Sequence, residues 1–180
     1  KRDATFQIVE HNIHGLDIDK RAYQLAYFAV MMKGRGYNRR FLNNRDGATP
    51  EPKVYAFEES NEINRGHLKY FGFSMNTKDR EKAEQQVRYL LDTFVDAREY
   101  GSILNVEECD WELIQCFIND LQVGGQFTLD SVGSDETQNQ LEKLVKVAEN
   151  MGKKYDAVVT NPPYMSSSNG SSKILAYIKD

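Results

Sequence analysis

Short apolar stretches alternate along this chain with longer segments of helical period. "NIHGLDI" (12–18), "KVYAFEES" (53–60), "GSILNV" (101–106) and "YDAVVT" (155–160) read as strands. Residues 19–33, 80–98, 109–122 and 135–152 instead repeat apolar residues at i, i+3 and i+4, as amphipathic helices do. A strand followed by a helix returns to the sheet in parallel, so the alternation predicts an α/β fold with a largely parallel sheet. In such sheets ligands gather outside the carboxyl ends of the strands. The polar strand ends, Asp17 with Asp19, Ser102 and Asn161, are therefore the candidate site residues.

The helices carry more detailed expectations. In 19–33, Asp19 is placed to cap the first turn and Gly34 to stop the last. Ala22, Leu25, Ala26, Ala29 and Val30 form its expected inner face. Tyr27, Phe28, Met31 and Met32 make the remainder apolar, which predicts cover on more than one side. The 80–98 helix should bury Ala83, Val87, Leu90, Leu91, Phe94 and Val95. The 109–122 helix should bury Ile114, Phe117, Ile118 and Leu121, with Cys116 a buried thiol and Trp111 a packing anchor. In 135–152, Leu141, Leu144, Val145 and Ala148 point inward and Gly152 ends the helix. Residues 35–52 and 124–138 are rich in turn formers and read as loops. Residues 61–79 show no clean period. The tail 166–180 starts as a polar loop and reads as helical from Lys173.

Composition excludes some function classes. The chain has 180 residues, no apolar run of about 18 and no secretory signal, so a membrane role is not expected. Cys109 and Cys116 are too few for a disulfide framework, and a bacterial cytoplasm is the simplest compartment. His11, His14 and His67 lack metal-ligand spacing, and no metal is expected. A net charge of −4 argues against holding nucleic acid by bulk electrostatics alone. The cluster Lys33, Arg35, Arg39 and Arg40 reads as a solvated loop.

"DAVVTNPPYM" (156–165) carries the sharpest chemistry. Pro162 and Pro163 have no backbone N–H and end the preceding strand. An exocyclic aromatic amine attacks poorly because its lone pair is delocalised into the ring. Two acceptors that take its two N–H bonds favour a pyramidal nitrogen with a freed lone pair. The Asn161 side-chain oxygen and the Pro162 carbonyl can be those acceptors, and Tyr164 offers a face for a flat base.

This stretch resembles the Asn-Pro-Pro-Tyr motif of the amino-methyltransferases, in the form typical of DNA adenine-N6 methyltransferases. "NIHGLDIDKRAYQLAYFAVMM" resembles the family's second motif, in which the acid ending the strand binds the ribose hydroxyls of S-adenosylmethionine; Asp17, with Asp19, stands there. "YGSIL" (100–104) resembles the third motif, with Ser102 where an aspartate usually contacts the cofactor adenine. The resemblance is nearest to the large adenine-specific methyltransferases of BREX and phage growth limitation systems. It implies part of a Rossmann-like methyltransferase sheet, mostly parallel, with helical insertions. Residues 5–34 would hold the second motif, 35–150 a helical insertion with the third, and 153–165 the Asn-Pro-Pro-Tyr strand and loop. It further implies double-stranded DNA with a flipped adenine as substrate, with Asn161, Pro162, Pro163 and Tyr164 as the acceptor-side residues.

The family's Gly-rich first motif has no counterpart in these residues; "GRG" (34–36) follows a helix, not a strand. The chain is thus expected to be a piece of a larger enzyme, inactive alone and weak in cofactor binding, with an exposed sheet edge available for self-association. Two other readings stand beside this one. The same motif serves protein-glutamine methyltransferases, and the chain could be a non-catalytic interaction module.

Overall fold

The computed structural model describes residues 2–43, 49–122 and 131–160, with the side chains of residues 2 and 3 excepted. The N-terminal helix α1 (Arg2–Gln7) runs into a wider π-helical turn, Ile8–Asn12. Strand β1 (His14–Asp17) follows, then helix α2 (Lys20–Tyr37) and strand β2 (Lys53–Ala56). The strands pair in parallel, with His14 opposite Lys53 and Asp17 opposite Ala56. A 3₁₀ turn (Arg65–Tyr70) leads to α3 (Thr77–Thr93), the short α4 (Ala97–Tyr100), α5 (Trp111–Asn119) and α6 (Ser134–Gly152). The fold is mixed α/β, mostly helical, with a two-stranded parallel sheet among the described residues.

Local chemistry explains the helix starts. Asp19 accepts a hydrogen bond from Arg21 N at 2.7 Å and caps α2. Asn76 caps α3 through Asp79 N at 3.0 Å, and Asp110 caps α5 through Leu113 N at 3.2 Å. Each cap satisfies an otherwise orphaned N–H and contributes about 1 kcal/mol. The main core joins α3, α5 and α6 through fully buried Leu90, Phe94, Phe117, Ile118, Leu141 and Leu144, with Leu16 and Tyr55 of the sheet packed on it. As expected, α6 turns Leu141, Leu144, Val145 and Ala148 inward, and Trp111 packs on the core.

Several expectations are corrected. Residues 101–106 are not a strand: Gly101–Ile103 form a 3₁₀ turn, because Gly101 takes φ 56°, ψ −130° and turns the chain out of an extended path. Residues 155–160 form no strand; Val158 and Val159 are 75% and 98% exposed, and an apolar stretch becomes a strand only where a neighbour satisfies its backbone. Gly34 does not stop α2. It is buried because the Phe41 ring lies where a Cβ would sit, 2.6 Å away, and the helix continues to Tyr37. The contact also sets which side of α2 is inside: Met31 packs with Val9 and Phe41, while Leu25, Phe28 and Met32 are exposed. Val95 and Cys116 are exposed too, since α3 ends at Thr93 and Cys116 lies off the Ile114–Phe117–Ile118 stripe.

Candidate functional site at the carboxyl end of the sheet

Both strands end at the same edge, and polar residues follow each. Asp17 closes β1 and is exposed. Its carbonyl accepts from Phe57 N at 2.9 Å, which extends the parallel ladder one residue past β2. Its Oδ1 accepts from Asp19 N at 2.8 Å, which folds the chain into the α2 cap. One oxygen of Asp19 is committed to that cap. Asp17 therefore presents an exposed carboxylate at a strand end, held by short backbone contacts.

The turn carrying Ser102 arrives at the same place from far along the chain. A Cβ built on Gly101 would lie 3.0 Å from Ile18 Cδ1, so the 101–103 turn rests on the residue between Asp17 and Asp19. Ser102 itself is exposed. The turn that carries Ser102 thus lies against Ile18, the residue between Asp17 and Asp19. Asn161, Pro162, Pro163 and Tyr164 lie outside the described residues, as does the 166–180 tail. The described chain runs up to Thr160; within it the Tyr155 hydroxyl donates to Asn150 O at 2.8 Å and the Tyr155 ring meets His14, at the amino end of β1, edge-on at 5.0 Å.

Sequence reasoning missed the residues after β2. Glu58 and Glu59 follow the end of β2 by two and three residues, and Arg98 lies 3.8 Å from each. With Lys20, Glu136 and Lys143 they line a cleft of about 370 Å³ in which charges of both signs face one another. The signal was present in "FEES", two acids directly after an apolar stretch. Arg98, by contrast, falls in a helical segment and had none. Among the described residues no group of His, Cys, Asp and Glu has metal-binding geometry, and no helix is long and apolar enough to cross a membrane. His67 is buried, with its ring nitrogens 2.7 Å from Thr137 Oγ1 and 2.9 Å from Asn64 Nδ2, and ties the 65–70 turn to α6.

The Eco57I restriction-modification methylase family matches residues 11–180. The chain is 34% identical over 170 residues to the adenine-specific methyltransferase PglX of Lacticaseibacillus casei (strain Zhang), covering 93% of this chain and 13% of that protein. It is 30% identical over 193 residues to the adenine-specific methyltransferase BrxX of Escherichia coli O9:H4 (strain HS), covering 97% of this chain and 16% of that protein. The chain therefore spans a small part of the length of the curated relatives it matches.

Proposed function

The chain belongs to the Eco57I restriction-modification methylase family, and on that premise we propose that it is part of an S-adenosylmethionine-dependent DNA adenine-N6 methyltransferase of a bacterial phage-defence system. The observation that carries the reading is the meeting of Asp17, Asp19 and the Gly101–Ile103 turn at the carboxyl end of a parallel strand pair. That is where an α/β sheet binds nucleotides. An exposed carboxylate fits two ribose hydroxyls, and a turn opposite it fits a flat ring. Asp17 would hold the ribose of S-adenosylmethionine, with Asp19 shaping the strand end and Ser102 beside the adenine. The described pair would form part of a Rossmann-like sheet, divided into the second-motif unit (5–34), an insertion with the third motif (35–150) and the Asn-Pro-Pro-Tyr unit (153–165).

Bound S-adenosylmethionine supplies an electrophilic methyl group. The chain's own residues would prepare the nucleophile. Tyr164 would stack on an adenine flipped out of double-stranded DNA. Asn161 Oδ1 and the Pro162 carbonyl would accept the two N6–H bonds and free the nitrogen lone pair, and Pro163 would fix the turn that aims them. After transfer the nitrogen sheds a proton to water, and rate comes from positioning and oriented dipoles. The edge of β1 that carries no strand among the described residues would offer backbone groups for self-association of the isolated chain, which sedimentation would show as a concentration-dependent dimer; a monomer at every concentration would exclude it. The main test is methyl transfer by the full-length protein to double-stranded DNA and to glutamine-containing peptides. N6-methyladenine is the expected product, and methylglutamine alone would refute the reading.

A further inference from the structure

The Gly101–Ile103 turn has to be held against Ile18, and its own backbone does not favour that path. Two residues near it lie in the left-handed region, Asp96 at φ 53° and Gly101 at φ 56°. Asp96 is a non-glycine residue there, a conformation that persists only when its surroundings enforce it. The enforcing contacts come from the segment after β2. Asn61 engages Asp96 twice: its Nδ2 donates to Asp96 Oδ1 at 2.8 Å, and its Oδ1 accepts from Asp96 N at 2.9 Å. Arg98 completes the attachment. Its backbone N donates to Glu59 Oε1 at 3.2 Å, its Nε donates to the Phe57 carbonyl at 3.2 Å, and its guanidinium lies 3.8 Å from Glu58 and Glu59.

We propose that Arg98 and Asn61 are positioning residues for the cofactor site, acting through the 96–103 segment. This rests on the reading of Asp17, Asp19 and the 101–103 turn as that site. The connection is continuous: Asp17 O to Phe57 N, Phe57 O to Arg98 Nε, and Arg98 through α4 to Gly101, which touches Ile18. It closes a ring around the strand ends, so Asp17 and Ser102 keep a fixed separation. The alternative, an ordinary surface arginine, predicts little effect of any kind, because the Arg98 side chain is 37% exposed and such ion pairs are weak. The same exposure means that losing Arg98 removes little global stability. A change in cofactor affinity without a matching loss of fold separates positioning from support.

The test uses the full-length protein carrying Arg98→Gln, Arg98→Lys or Asn61→Ala, with methyl transfer to double-stranded DNA as the assay. Arg98→Gln is expected to raise KM for S-adenosylmethionine about tenfold, the scale of one lost charge-assisted hydrogen bond. Its kcat should stay within about twofold and its melting temperature within about 2 °C of wild type, given the weak ion pairs. Arg98→Lys should recover part of the affinity, and Asn61→Ala should show the same KM-selective loss. If Arg98→Gln does not fold, Asn61→Ala decides by the same readout. The proposal is overturned if KM is unchanged, or if KM, kcat and melting temperature all deteriorate together. A wild-type protein that neither binds S-adenosylmethionine nor methylates DNA would bring down the underlying reading as well; normal wild-type kinetics with unchanged variants would bring down this inference alone.

Discussion

Replacing Gly101 by alanine probes the turn that lies against Ile18 at the proposed site. At φ 56°, ψ −130° the backbone lies outside the regions open to L residues, and forcing a side chain into such a conformation costs on the order of 1–3 kcal/mol. The new Cβ would also stand 3.0 Å from Ile18 Cδ1. Ile18 is 44% exposed, so its tip can turn aside for about 0.5 kcal/mol. The sum is about 2.5 kcal/mol. For a chain of this size each kcal/mol lowers the melting temperature by about 2–4 °C, so Gly101→Ala should melt about 5–10 °C below wild type. Gly36→Ala supplies the opposite sign. Gly36 lies in the last turn of α2 with nothing within 4 Å of an added Cβ, and alanine there removes unfolded-state freedom. It should stabilise by about 0.5–1 kcal/mol. Thermal unfolding by circular dichroism measures both. If Gly101→Ala melts at or above wild type, or both variants shift together in one direction, the assigned turn geometry is wrong.

Other expectations concern the fold and its response to pH. Leu25, Phe28 and Met32 point outward, so replacing any one with glutamine should change stability by less than about 0.5 kcal/mol, whereas Phe41→Ala should cost about 3–5 kcal/mol in urea unfolding. A costly Leu25 or a silent Phe41 would reverse the assigned faces of α2. The Asp110 carboxyl is held below its ordinary 3.8 by the hydrogen bond from Lys82 and by Leu113 N. Its stabilising contribution is present above pH 3.8 and is lost as pH falls through the lowered value. Asp110→Asn, which still caps α5, should flatten urea midpoints across that acid window. Burial, followed by the charges of Glu51 and Glu149, pushes the Tyr55 phenol from 10.0 up to about 12. Unfolded chains ionise first, so stability is intact below pH 10 and falls as pH rises toward 12. Tyr55→Phe should weaken that loss, and an unchanged slope would show that Tyr55 is not the group responsible.

How far the sequence disclosed this molecule depended on whether a feature needed one segment or two. Helix starts need one: Asp19 could be read directly, because a cap bonds to an N–H two or three residues on. The core faces of α5 and α6 were legible because polar residues fill their other sides. Helix α2 was not, since apolar residues surround it and its period does not choose a face; Phe41 against Gly34 chose it. Strands need two segments. His14–Asp17 and Lys53–Ala56 became strands by pairing, while "GSILNV" and "YDAVVT" showed apolar content without a partner among the described residues.

The candidate site follows the same logic at longer range. Asp17 and Ser102 stood out singly, as polar residues at the ends of apolar stretches. The proposed site depends on Gly101 lying against Ile18, and on Asn61 engaging Asp96 across 35 positions. No local pattern encodes such pairs, because each partner is an ordinary loop or helix residue until the other arrives. The residues that hold a site together are thus less visible in sequence than those that face its ligand. Arg98 illustrates this: it looks like any charged residue of a helix, yet it bonds the carbonyl of Phe57, whose own N–H is bonded to the carbonyl of Asp17. Substitutions at such positions should alter affinity while leaving the recognisable motif intact.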